Sequence, residues 1–237
     1  MEAFFHGLVS WDQQWTLFLN AQGSPYWDSF MWVFTNKFTW IPMVLALAFC
    51  IFTRPRKEVI LTVLSIALLI VLCDTVTSSI IKPWVARFRP TQDPVIGPLV
   101  HLVHDYKGGK YGFCSSHASN AFGIVCFAAL LFRNKLFTVT AFSWAVVNTY
   151  TRIYLGVHYI LDVICGALFG ILSAILVYQI YKYFFLKLLN KPFPDNLQEV
   201  GETPTHYKKK YIYGICVVLY ISVLLIFLFP EFLCKFY

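Results

Sequence analysis

Three short polar runs carry side chains whose chemistry is out of place in so apolar a chain. They are Lys82-Pro-Trp-Val-Ala-Arg87-Phe-Arg89-Pro90, Cys114-Ser115-Ser116-His117, and Thr151-Arg152-Ile-Tyr-Leu-Gly-Val-His158-Tyr-Ile-Leu-Asp162. Lys82, Arg89 and Arg152 supply three permanent cations, and arginine forks bind phosphate oxygens bidentately. Ser115 and Ser116 precede a run that reads as a helix, and a helix N-terminus favours an anion. His158 and Asp162 are four residues apart where another helix should start, which would place them on one face. A carboxylate there holds the imidazole in one tautomer and stabilises its charged form. His117 offers a second imidazole for acid catalysis. A cationic cradle, a nucleophile and a leaving-group acid are the parts that phosphoryl transfer requires.

Other ionisable groups have plainer readings. Arg87, Lys107 and Lys110 read as side chains that snorkel to headgroups, and His101 and His104 as interfacial polar residues. Asp74, eight residues before Lys82 inside an apolar run, is a partner for a basic group or a purely structural pair. For the remaining six charged and imidazole groups together function is the default, because ionisable residues in and beside membrane spans are costly.

The elements that must position them are membrane helices. Hydrophobic residues make up 58% of the chain and charged residues 13%, against about 25% charged in soluble domains. Mean hydropathy is +0.63. The net charge of +7 lies mostly between apolar segments, where it sets membrane orientation rather than nucleic-acid binding. The seven cysteines form no CxxC pair and read as small buried hydrophobes, not as a disulfide framework or a zinc site. The N-terminus lacks the pattern of a cleaved leader.

A span needs roughly 20 apolar helical residues. Six runs qualify: 38–52, which is short, then 59–81, 118–132, 136–154, 159–185 and 211–229. Residues 1–37 read as short interfacial helices broken at Gly23-Ser24-Pro25. The expected fold is therefore all-α, a single-domain integral membrane bundle of six transmembrane helices with interfacial N-terminal helices. Its parts are an interfacial segment (1–37), a catalytic core (38–185), a cytoplasmic linker (186–210) and a last span with its tail (211–237). Arg54, Arg56 and Lys57, then Arg133 and Lys135, then Lys182, Lys187, Lys191 and Lys208-Lys209-Lys210 occupy three connections on one side. The positive-inside rule makes that side cytoplasmic. The connections 82–117 and 155–158 then face outward together, although Lys82, Arg87, Arg89, Lys107 and Lys110 run against the rule.

These spacings resemble the type 2 phosphatidic acid phosphatase superfamily, which also contains the vanadium haloperoxidases. The family pattern is Lys, six residues, Arg-Pro; then Pro-Ser-Gly-His; then Ser-Arg, five residues, His, three residues, Asp. Lys82 with Arg89-Pro90, and Arg152 with His158 and Asp162, keep those spacings. Cys114 and Ser116 replace the Pro and Gly, and Thr151 replaces the Ser. The resemblance covers roughly residues 38–185. It implies that His158 attacks phosphorus and forms a phosphohistidine, that Asp162 orients it, and that His117 protonates the leaving oxygen and then activates water. It further implies that Lys82, Arg89, Arg152 and Ser115 bind the phosphate, with Ser116 a weaker candidate, and that no metal or other cofactor takes part. The implied partners are the bilayer and a phospholipid or isoprenoid lipid phosphate, with no nucleic acid. Undecaprenyl diphosphate, a lipid A phosphate, phosphatidylglycerol phosphate and phosphatidic acid all fit. The implied location is a bacterial inner membrane, the site facing the periplasm or cell exterior. A vanadate-dependent peroxidase would share the cradle but be soluble. A non-catalytic phosphate-lipid binder or transporter would explain the cations but not the His158–Asp162 pair.

Overall fold

Gly23-Ser24-Pro25 does break the N-terminal segment. In the computed structural model, which describes residues 2–189 and 207–237, α1 runs Glu2–Asn20 and α2 runs Pro25–Thr35. Ser24 caps α2 by accepting from Trp27 N–H at 3.3 Å, and Pro25 occupies the first turn, where no N–H is needed. α1 is not simply an interfacial helix with its polar side in water. Asp12, Thr16 and Asn20 are at most 1% exposed, while Trp11, Trp15 and Phe18 face outward. The polar stripe is turned into the protein.

The short first apolar run is preceded by the apolar α2, and the two are joined by a sharp bend. A 3₁₀ turn, Lys37–Trp40, leads into α3 (Ile41–Phe52), and α2 meets this unit at a 63° bend. Asn36 makes the corner by accepting from Phe38 N–H at 3.0 Å. The next helix is longer than the apolar run suggests. α4 (Arg56–Val71) passes through a π-helical stretch, Leu72–Ile81, into α5 (Lys82–Val85), giving 30 continuous helical residues. Ala86, left-handed at φ 50°, ends it. Lys82 thus sits in the last turn of a long helix. π-helical turns occur frequently at functional sites.

α6 (Ser116–Phe132) and α7 (Lys135–Tyr154) follow, then α8 (Ile160–Leu189), α9 (Lys209–Leu228) and the short α10 (Pro230–Cys234). α8 continues through 186–189, the first residues of the expected linker. Its residues 190–206 lie outside the described residues. Glycines set the α6–α8 crossing. A Cβ on Gly166 would lie 2.3 Å from Ser115 O, and one on Gly170 2.2 Å from Ser119 O. Only a bare backbone permits that approach, and it carries the N-terminus of α6 to the N-terminus of α8. Phe127, Phe132, Tyr178 and Phe185 fill the core between these helices. A second cluster of Phe34, Trp40, Tyr154 and Val157 packs α2 under the α7–α8 turn. The seven cysteines are unpaired and mostly buried.

Among the described residues, Arg56–Val85, Ile160–Leu189 and Lys209–Leu228 are long and apolar enough to cross a bilayer, and the bent pair Pro25–Thr35 with Lys37–Phe52 makes a fourth candidate. α6 is apolar but has 17 residues. α7 carries Thr140, Asn148, Thr149, Thr151 and Arg152 among its buried residues, which dilutes its hydropathy.

Candidate active site

The ends of four helical elements, α5, α6, α7 and α8, meet at one place. Lys82, the first residue of α5, donates through Nζ to Ser116 Oγ at 2.7 Å, joining the first two polar runs. Ser115 is the N-cap of α6: its Oγ accepts from Ala118 N–H at 3.3 Å and its N–H donates to Asp162 O at 2.9 Å. The fully buried Ser115 is thus a joint between α6 and α8, and the serine beside the lysine is Ser116.

Arg89 is held by backbone on two sides. Its Nε donates to Tyr111 O and its Nη1 to Val157 O, both at 3.1 Å. The loop around it is stitched antiparallel, with Arg89 N–H donating to Lys110 O and Gly112 N–H to Arg87 O. Arg152, in the last turn of α7, donates through Nη1 to Thr35 Oγ1 at 2.9 Å, and its guanidinium lies 5.9 Å from the Tyr106 ring centroid. Its buried Nε has no hydrogen-bond partner among the described residues.

His158 lies in the turn between α7 and α8, not on the helix, because α8 begins at Ile160. His158 and Asp162 therefore do not share a helical face, yet they still meet. Arg152 O accepts from both Val157 N–H (3.1 Å) and His158 N–H (3.2 Å), closing the turn. Asp162 reaches back so that Oδ2 accepts from Tyr159 N–H at 3.1 Å. That oxygen is 3.5 Å from His158 Nδ1. This is ion-pair range but not a formed hydrogen bond, and Nδ1 has no hydrogen-bond partner among the described residues. On the other edge of the ring, Nε2 is 3.5 Å from Arg89 Nη1. A guanidinium only donates, so Nε2 is the nitrogen with a free lone pair and Nδ1 carries the proton towards Asp162.

Burial, and then the charges of Arg89, Arg152 and Lys82 with His117 beyond them, hold the His158 pKa well below the ordinary histidine value. The imidazole is neutral at neutral pH. Arg89 is itself pushed down by burial and by Arg152. On the far side of the cradle, His117 Nε2–H donates to Asn148 Oδ1 in a very short contact.

Lys82, Arg89, Arg152, His117, Ser116 and His158 are therefore brought to one site, with Asp162 behind the histidine. Sequence reasoning missed three contributors. Asn148 stands four residues before Arg152, and that helical spacing was a usable signal. Arg87 does not face headgroups: Nη1 donates to Asp162 Oδ1 at 2.9 Å and Nη2 to Asp12 Oδ2 at 2.7 Å. Gly112 leaves room for the pair, since a Cβ there would lie 2.8 Å from Asp162 Oδ2. His101 is also more than interfacial, with Nε2 3.0 Å from Asp28 Oδ1.

A cavity of about 260 Å³ has His117 and Asn148 in its wall. Beyond those two residues its walls are largely apolar, with Trp40, Met43, Leu47, Val125, Trp144 and Leu219 among them.

The sequence pattern of the PAP2 superfamily matches residues 58–186. The chain is 39% identical over 168 residues to the lipid A 4'-phosphatase of Porphyromonas gingivalis, covering 70% of this chain and 71% of that protein. It is 40% identical over 161 residues to the lipid A 4'-phosphatase of Bacteroides thetaiotaomicron, covering 67% and 72%. Among solved structures, LpxE of Aquifex aeolicus superposes with a TM-score of 0.53 at 26% identity, over 70% of this chain and 93% of that one.

Proposed function

Because this chain belongs to the PAP2 superfamily and is a membrane lipid phosphatase of that type, we propose that it removes a phosphate from a lipid A-like saccharolipid through a phosphohistidine on His158. The observation that carries the mechanism is the orientation of that ring, Nε2 towards Arg89 and Nδ1 towards Asp162. Lys82, Arg89 and Arg152 take the phosphate oxygens, with Ser116 beside Lys82 and the N–H groups at the start of α6 adding to the same field. His158 Nε2 forms a bond to phosphorus as the bond to the leaving oxygen breaks, and His117 gives that oxygen its proton. The imidazolium that results carries its Nδ1–H towards the Asp162 carboxylate. His117, now neutral, takes a proton from water, whose oxygen attacks phosphorus and returns His158 to its starting state. Asn148 holds the His117 ring while this happens.

The apolar cavity below His117 suits an acyl chain, so an amphiphile presents its phosphate to the cradle with its tail in the membrane body. The two lipid A 4'-phosphatase relatives favour a phosphorylated saccharolipid over the other candidate lipids. In this reading α6 and α7 complete six spans with the four apolar candidates, α6 falling at the short end of the roughly 17–25 residues a span uses. The basic connections are cytoplasmic and the site faces the periplasm of a bacterial inner membrane.

The test is phosphate release by the purified protein from lipid A, undecaprenyl diphosphate, phosphatidylglycerol phosphate and phosphatidic acid in mixed micelles containing EDTA. Lipid A should be dephosphorylated with the highest kcat/KM, and the cationic cradle should keep that activity in chelator. Preference for another lipid would reject the substrate. No turnover of any of them would reject the enzyme in favour of a binder.

A further inference from the structure

The N-terminal helix lies outside the 58–186 stretch matched by the superfamily, yet it grips the turn that carries His158. Asp12, Thr16 and Asn20 recur every four residues and form one stripe along α1. Asp12 Oδ1 accepts from Leu161 N–H at 3.1 Å, and Thr16 Oγ1 accepts from Ile160 N–H at 3.2 Å. These are the first N–H groups of α8, which have no carbonyl of their own helix to bond. The Asn20 amide donates to Tyr154 O, at the last residue of α7, at 2.6 Å. α1 therefore holds both ends of the α7–α8 turn.

One bond from this stripe reaches the reacting group. The Arg87 guanidinium is shared by two fully buried carboxylates, Asp12 at 2.7 Å and Asp162 at 2.9 Å, and lies 3.9 Å from the Tyr159 ring centroid. An arginine held by a single carboxylate can still swing about that bond. Held at both prongs and stacked on a ring, its plane is fixed. Its hold on Asp162 Oδ1 leaves Oδ2 facing His158 Nδ1. Asp12 also supplies a second negative charge, so the single cation does not cancel the charge Asp162 presents to the ring.

On the premise that His158 is the nucleophile, we infer that Asp12 and Arg87 are positioning residues that act through Asp162. They keep Oδ2 aimed at Nδ1 while the imidazole becomes cationic on bonding to phosphorus. The N-terminal helix is then part of the catalytic apparatus and not merely a membrane anchor.

The experiment compares full-length enzyme with the variants Asp12→Asn, Arg87→Leu, the double Asp12→Asn/Arg87→Leu, and His158→Ala. Steady-state kcat and KM and the rate of phosphoenzyme formation are measured in one detergent, using the lipid phosphate that the wild-type enzyme turns over best. Asp12→Asn keeps an oxygen for Leu161 N–H, so it removes the charge but not the cap. It should lower kcat and phosphoenzyme formation about 10–100-fold, by analogy with the loss on removing the hydrogen-bonded partner behind a metal-ligating histidine, while KM barely moves. In the Arg87→Leu background the same change should have no further effect, because its path to Asp162 is already cut. Wild-type kcat in Asp12→Asn would overturn the inference. So would an equal loss in both backgrounds, which is the behaviour of a structural brace. If Asp12→Asn does not fold, Arg87→Lys keeps the charge without the fork; lowered kcat at unchanged KM is again expected, and unchanged kcat overturns. His158→Ala separates the two claims. Turnover by that variant rejects the nucleophile itself, whereas an inactive His158→Ala beside a fully active Asp12→Asn rejects only the role of Asp12 and Arg87.

Discussion

His158 shows its two ring nitrogens to opposite charges: Nδ1 lies 3.5 Å from Asp162 Oδ2, and Nε2 lies 3.5 Å from Arg89 Nη1. Burial of the ring, and then the charges of Arg89, Arg152, Lys82 and His117, hold its pKa well below the ordinary histidine value.

That balance predicts a pH profile. The nucleophile must be unprotonated, so the acid limb of kcat/KM, which reports the free enzyme, should fall below the ordinary histidine value of about 6.5. Arg89→Gln removes a cation beside Nε2, makes protonation easier and should move that limb to higher pH. The substrate phosphate titrates near pH 6 but does so equally for both enzymes, so the difference between the profiles reports His158. An Arg89→Gln limb at the wild-type position or below it would contradict the electrostatics.

His117 should be needed twice, once for the leaving oxygen and once for water. With a lipid substrate, His117→Ala should slow turnover by about 10²–10⁴-fold, the range for general acid–base catalysis. With an aryl phosphate, whose leaving group departs without a proton, only the second half should stall. A burst of phenol followed by slow steady release, seen by stopped flow, is the expected signature. Equal slowing of both phases with the aryl substrate would mean that His117 does something other than proton transfer.

The glycine seam between α6 and α8 should be intolerant. Gly166→Ala places a Cβ 2.3 Å from Ser115 O, a backbone atom that cannot swing away. The helices must separate, at a cost of about 1–3 kcal/mol, and Ser115–His117 moves away from His158. Thermal unfolding in detergent should shift down and activity should fall. Gly214→Ala, with nothing within 4 Å of its Cβ, is the control: it should leave activity unchanged and should not lower the unfolding temperature. An unshifted unfolding temperature in Gly166→Ala would show that the seam does not set the crossing.

Sidedness is testable with cysteine accessibility once the native cysteines are replaced. In intact spheroplasts, a cysteine at position 107 should react with an impermeant maleimide, and one at position 209, at the start of α9, should react only after lysis. A phosphate headgroup crosses hydrocarbon very slowly, so the side that labels also identifies the leaflet that holds substrate. The reverse pattern would place the site in the cytoplasm.

What was readable in the sequence, and what was not, divides by distance along the chain. Lys82, Arg89, His117, Arg152, His158 and Asp162 announce themselves because a charge beside an apolar run is costly wherever the fold puts it. Arg87 was misread because a cation at a span end has the same local signature whether it meets lipid or carboxylate. Its partner Asp12 is 75 residues away, and no periodicity encodes that pairing. The 3.6-residue rule led to the right partner for His158 through the wrong geometry, since a turn and a reaching carboxylate replaced a shared helical face. The 63° bend at Asn36 was not read, because hydropathy carries no direction. The π-helical register of Leu72–Ile81 left no trace in composition, because the same residues serve either register.

The central claim is that phosphorus is carried on His158. Enzyme mixed with substrate labelled in the transferred phosphate and quenched in alkali within milliseconds should hold label on His158, identified by peptide mapping. The label should be stable in base, lost in acid, and absent from His158→Ala, while His117→Ala with an aryl phosphate should accumulate it. Label on another residue, or full turnover in His158→Ala, would contradict the mechanism.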